Sequence, residues 1–125
     1  MEGLPENTDF KALVGRRITM MRITKHLLHY ILNDEKPEKP DVWIAIESES
    51  VIFTDSEGKR VEIKDFRTNG GPLCLLLGLT IEGASRRDDG GLLLEMSDGF
   101  RLEVPIDTPM YESVVLHIGD EAIIG

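Results

Sequence analysis

The chain has 125 residues, enough for one domain with a real core and too few for a separate catalytic domain beside it. Hydrophobic residues at 41% and charged residues at 30% exclude a disordered chain, and a net charge of −9 opposes phosphate backbones, so nucleic acid is not an expected partner. Met1 to Asp9 has neither a basic start nor an apolar stretch, and no apolar run approaches the ~18 residues of a membrane span. No membrane association is therefore expected, and the cytoplasm is the expected location.

Taken in chain order, residues 1–10 read as a flexible tail. Over 11–33, Ile18, Met21, Leu28 and Ile31 nearly fit a helical stripe, but Ile18-Thr19 and Ile23-Thr24 favour extended backbone, and two strands are expected. The polar, proline-broken segment 33–41 reads as a flexible loop. Asp41 to Glu47 is rich in β-branched and aromatic residues and reads as a strand; 51–63 reads as strand, turn and strand.

Gly70-Gly71, Pro72 and Gly78 frame a short helix near 72–78. Inside it lies Cys74, whose leucine surroundings suggest a buried, inert thiol; a single cysteine permits no internal disulfide and no cysteine metal cluster. Arg86 to Gly91 reads as an exposed turn. In 92–104, period-2 spacing places Leu92, Leu94 and Met96 on one face and Phe100, Leu102 and Val104 likewise, and Asp98-Gly99 between them supplies the positive φ that a tight hairpin turn needs. Tyr111 to Ile118 is a further strand, with Val114, Leu116 and Ile118 on one face and Val115 and His117 on the other. About ten short strands in all give a mainly β, single-domain chain over 1–125, an antiparallel sandwich or partly closed barrel. Two internal matches stand out. Residues 56–63 resemble 97–104, and 13–18 resemble 76–81, but the offsets are 41 and 63, so convergent hairpin chemistry explains them as well as a tandem duplication does.

Charge is unevenly spread. Residues 88–125 hold nine acidic side chains and only Arg101, which accounts for −8 of the −9. Such a segment either keeps strands soluble or forms a docking face for a basic protein, where a patch of one sign raises the association rate. Trp43 is the only tryptophan; the core is its ordinary place, and an exposed position would make it an interface anchor beside Glu47 and Glu49.

No catalytic, metal or cofactor site is expected. His26 and His29 face opposite sides of a strand, His117 stands alone, and no acidic ligand at metal spacing accompanies them. The glycine pairs lack a phosphate-loop context, Asp88-Asp89-Gly90 lacks the ligand spacing of a calcium loop, and no serine sits in a nucleophile turn. Asp107 and Glu112, imaginable as an acid/base pair, read instead as solvated residues around Pro105 and Pro109.

The run Asp98-Gly99-Phe100-Arg101-Leu102-Glu103-Val104-Pro105-Ile106-Asp107 followed by Tyr111-Glu112-Ser113 resembles a widespread small bacterial domain. That domain carries Asp-Gly, Leu-x-Val-Pro, an Asp and Tyr-Glu-[Ser/Ala]-Trp. The order of Leu13 to Ile18, Ile44-Ala45-Ile46-Glu47 and Leu76 to Ile81 also fits, while Val114 stands in place of the tryptophan. Such domains resemble immunity proteins of polymorphic-toxin systems. The resemblance implies a non-enzymatic protein that neutralises a cognate toxin by binding it. Joined to the charge distribution, it makes Glu95, Asp98, Glu103, Asp107 and Glu112, with Trp43, Glu47 and Glu49, the expected partner-binding residues. A second reading is a ligand-binding or assembly subunit that gathers Trp43, Tyr30, Met20 and Met21 around a cavity.

Overall fold

A computed structural model describes residues 3–24, 27–33, 41–106 and 114–125. Among the described residues ten strands follow one another: β1 (Arg17–Ile23), β2 (Leu28–Asn33), β3 (Val42–Ile46), β4 (Val51–Thr54), β5 (Arg60–Ile63), β6 (Ile81–Arg86), β7 (Leu92–Met96), β8 (Arg101–Val104), β9 (Val114–Ile118) and β10 (Glu121–Ile124). They form two antiparallel sheets, ordered β1-β2-β3-β9-β10 and β5-β4-β8-β7-β6. The expected mainly β fold is present. It is a sandwich of two sheets that do not close into a barrel.

Period-2 alternation builds the core, because it turns every second side chain of each strand inward. Leu28, Tyr30, Leu32, Ile44, Ile46, Val114 and Leu116 from the first sheet meet Val51, Phe53, Ile81, Leu92, Leu94, Met96, Leu102 and Val104 from the second, all buried. At the β7–β8 turn both Asp98 (φ 63°) and Gly99 (φ 82°) take positive φ, the geometry that matches strand twist in a tight hairpin.

The match between 13–18 and 76–81 has a structural meaning. The two segments lie side by side and join the sheets along one seam. Gly15 N–H donates to Ile81 O (2.8 Å) and Gly78 N–H to Ile18 O (2.8 Å); Ile18 N–H donates to Leu79 O (2.9 Å) and Ile81 N–H to Arg16 O (2.8 Å). Shifting each residue by 63 exchanges the members of each pair. Gly15 (φ 87°) and Gly78 (φ 85°) share the left-handed conformation that glycine adopts without a Cβ clash. Even the irregularity between Ile18 and Met20 in the β1–β2 ladder recurs between Ile81 and Gly83 in β6–β7.

Read outward from the seam, the first sheet runs β1-β2-β3-β9-β10 and the second β6-β7-β8-β4-β5. Each is a three-strand meander completed by the hairpin of the other half. The chain is a pseudo-two-fold pair of five-strand halves that exchange their last hairpins. The match at offset 41, by contrast, relates the β4–β5 and β7–β8 hairpins, which the pseudo-symmetry does not exchange, and it reflects hairpin chemistry alone.

Two expectations need correction. The leucine-rich segment is a 3-10 helix over Gly71–Leu76, and its three-residue period buries Leu73 and Leu76 while leaving Cys74 exposed, so the thiol is not in the core. A four-residue helix, α1 (Phe66–Asn69), precedes it, capped by Asp65, whose Oδ1 accepts the N–H groups of Arg67 (3.0 Å) and Thr68 (3.2 Å). The opening segment is docked: Leu4 is buried, its N–H donates to Gly90 O (2.7 Å), and its carbonyl accepts Arg86 Nε (2.7 Å). Of the loop expected over 33–41, Asn33 ends β2, and 34–40 lie outside the described residues. Among the described residues, no helix is long and apolar enough to cross a membrane.

Candidate functional site

With the inward positions fixed by the core, the outward positions of the first sheet follow from register. Two rows cross it. One is Met20, Ile31, Trp43, His117 and Ala122; the other is Arg22, His29, Ala45, Val115 and Ile124. Apart from Arg22 and the two imidazoles, these rows are apolar on a face turned away from the core. Met20 and Ile124 are 49% and 46% exposed.

Trp43 is the centre of this face. The His117 ring stacks on the indole at 3.6 Å between centroids and 1° between planes, and His29 meets it edge-on at 5.0 Å. The tryptophan is half-buried between these imidazoles, outside the core. Loss of hydration pushes the His29 pKa below its ordinary value, the charges of Arg22 and His117 push it the same way, and Glu47 acts weakly against them. These effects favour the neutral imidazole of His29 beside Trp43. A cleft of about 410 Å³ opens here, lined among others by Arg22, His29, Ile31, Asp41 and Trp43. Such a surface offers an aromatic anchor, imidazole hydrogen-bonding groups and a cation. Among the described residues it brings no nucleophile to a base, and no three metal-ligating side chains meet.

The outer face of the second sheet is built differently. Arg101 pairs with Glu95 (3.7 Å), Glu103 lies between Arg60 (3.6 Å) and Arg87 (3.7 Å), and Arg87 also reaches Asp89 (3.4 Å). Glu95 and Glu103 are thus matched by arginines, two of which come from far earlier in the chain, a balance no linear count of charge reveals. Asp98 is exposed at the tip of the β7–β8 turn.

The expected partner-binding residues do not form one patch. Glu95 and Glu103 lie on the outer face of the second sheet. Trp43 lies on the opposite outer face, with Glu47 just past the end of β3 and Glu49 exposed in the loop to β4. Asp107 and Glu112 lie outside the described residues, as do Tyr111 and His26.

The cavity imagined around Trp43, Tyr30, Met20 and Met21 is not formed. Tyr30 is a core residue whose hydroxyl donates to Leu73 O (3.2 Å), and burial holds its phenol well above the ordinary range. Met21 packs against the core, and Met20 is exposed on the outer face. The sequence reading missed the His29–Trp43–His117 cluster. The signal that finds it is the phase of three strands, each placing its aromatic or imidazole opposite its buried aliphatics.

No curated protein and no solved structure matches the chain. A family model does match, over residues 10–115, and so spans all of the seam, β1 to β8 and the start of β9. The chain belongs to that family, described as a family of unknown function, DUF6188.

Proposed function

We propose that this domain is a non-enzymatic binding protein whose contact surface is the outer face of the β1-β2-β3-β9-β10 sheet, anchored by Trp43. The observation that carries this reading is the Trp43–His117 stack on an apolar row that the core does not use. A half-buried tryptophan backed by rigid strands is the kind of side chain that dominates protein interfaces, since it brings a large contact area at little cost in side-chain entropy. In the specific form suggested by the resemblance to immunity proteins, the partner is a toxin in the cytoplasm and the mechanism is occlusion. The carboxylates of β7 and β8, already engaged by arginines, then serve solubility more than contact.

The test is capture of partner proteins from source cells on tagged wild type, the Trp43→Ala variant and the double variant Glu95→Lys, Glu103→Lys. A stoichiometric protein held by wild type and by the double variant, and lost by Trp43→Ala with its fold intact, is the expected result. Loss on the double variant with retention on Trp43→Ala would move the site to the other sheet. Absence of any stoichiometric protein, with the partner-bearing lysate verified, would sink the reading.

A further inference from the structure

The pseudo-symmetry gives each sheet one outer edge strand, β5 in one and β10 in the other, and the two edges are not alike. At the turn end of the β4–β5 ladder, Asp55 N–H donates to Lys59 O (3.0 Å), so alternation directs the peptide groups of Arg60 and Glu62 in β5 toward the open side. Their charged side chains, with Lys64 beside them, guard that edge. Just past β10, Gly125 exchanges hydrogen bonds with Val114 of β9 (Gly125 N–H to Val114 O, 2.8 Å), which directs the peptide groups of Ala122 and Ile124 outward. At the positions where β5 carries Arg60 and Glu62, β10 carries Ala122 and Ile124, and Ile124 is 46% exposed. The described residues bring no strand to that side of β10.

We infer that β10 is a self-association edge, which pairs antiparallel with the β10 of a second copy of this chain. The register closes on itself. A two-fold axis at Ile123 sets Ala122 opposite Ile124 of the other copy, so that the outward N–H and C=O groups of both residues meet their counterparts. It also sets each Glu121 opposite Gly125 of the other copy, so the two Glu121 side chains are not set against one another. On the outer face the small Ala122 meets the large Ile124 in both halves of the pairing. A ten-stranded sheet results, and it presents two Trp43 faces on one continuous surface, which gives a partner with two matching sites the gain of bivalent binding. The contact is small, so association is weak and concentration-dependent.

Sedimentation or light scattering from about 5 µM to about 500 µM, the span suited to a small interface, tests this. The mass of the wild-type chain is expected to approach twice 14.0 kDa at the upper end. Ala122→Pro removes an N–H that the β9–β10 ladder does not use, and Ile124→Lys places a charge on the edge; each is expected to keep the chain monomeric, with circular dichroism unchanged. Amide exchange at Ala122 and Ile124 is expected to slow at least tenfold as wild type is concentrated. A wild-type chain that stays monomeric at about 500 µM overturns the inference, as does a dimer that persists in the folded Ile124→Lys variant. A dimer lost on Trp43→Ala and kept by Ile124→Lys would place the contact on the sheet face instead and overturn it equally.

Discussion

The two sheets are the same scaffold with opposite exteriors. Register places Tyr30 where the second sheet has Leu94, Ile44 where it has Leu102, Ile46 where it has Val104, and Leu116 where it has Phe53, all of them buried and most of similar bulk. On the outside the same comparison sets Trp43 against Arg101, Ile31 against Glu95, Ala45 against Glu103 and Ala122 against Arg60. The inner positions are constrained by a shared core and stay apolar. The outer positions are under no such constraint, and the second sheet shows that this scaffold carries charged pairs there without difficulty. The apolar exterior of the first sheet is therefore not a requirement of the fold, and that is the strongest physical reason to assign it a use.

The comparison breaks most decisively in the core. Ile44 and Leu102 occupy equivalent, fully buried sites, one in each sheet, and Ile44→Ala or Leu102→Ala is expected to cost about 2–5 kcal/mol. Urea unfolding followed by tryptophan emission and by circular dichroism should give one coincident transition for both variants, since one core serves both sheets. Separate transitions would mean that the halves fold independently.

The edges give the next largest effect. Arg60→Ala with Glu62→Ile gives β5 the outward pattern of β10, and the double variant is expected to extend the association beyond dimers in sedimentation while wild type stops at two copies. Unchanged size distributions would show that charge on β5 is not what guards that edge.

How much of this the sequence makes legible follows from which interactions are local. Alternation in Leu92 to Val104, Val51 to Ile63 and Val114 to Ile118 specifies those strands, and Asp98-Gly99 specifies their tightest turn, because each rests on neighbours a few residues apart. β6 escapes this reading, since Glu82-Gly83-Ala84-Ser85 offers no alternating hydrophobic row and is held as a strand by β7 and the seam. Strand β10 escapes it because four residues after a turn carry too little periodicity. Cys74 lies outside the core although its neighbours are leucines, since a 3-10 helix buries every third residue of an apolar run. The pairing of Glu103 is invisible in a linear count for a long-range reason: Arg60 and Arg87 reach it across strands. The 13–18 and 76–81 match was visible, and its meaning depends on hydrogen bonds between the two segments.

Smaller effects sharpen the contrast between the exteriors. Trp43→Ala removes two ring contacts from a half-buried site and is expected to lower stability by about 1 kcal/mol in urea unfolding, whereas Arg101→Ala, which loses one exposed ion pair to Glu95, is expected to stay within about 0.5 kcal/mol. Equal losses would mean that the aromatic cluster is held together no better than a surface ion pair.

The smallest effect is the pH dependence, and only the first sheet should show it near neutrality. In the folded chain the His29 pKa lies below its ordinary value of 6.5, first through burial and then through the charges of Arg22 and His117. The unfolded chain therefore binds a proton before the folded one as pH falls, so stability is lost below about 6.5 and the loss levels off once the folded imidazole is protonated too. Asp65, held low chiefly by the backbone N–H of Thr68, works in the same sense but in a separate, more acidic window: its contribution is present above the ordinary carboxylate range and lost as pH falls through the lowered value. Thermal unfolding of wild type is thus expected at a lower temperature at pH 5 than at pH 7.5, with a smaller difference in His29→Gln. Arg22→Ala should narrow it as well, because removing that cation relieves part of the pressure on the imidazole. A pH dependence that His29→Gln leaves unchanged would place its origin elsewhere in the molecule, and would show that the Trp43 face stays neutral for reasons other than the burial of His29.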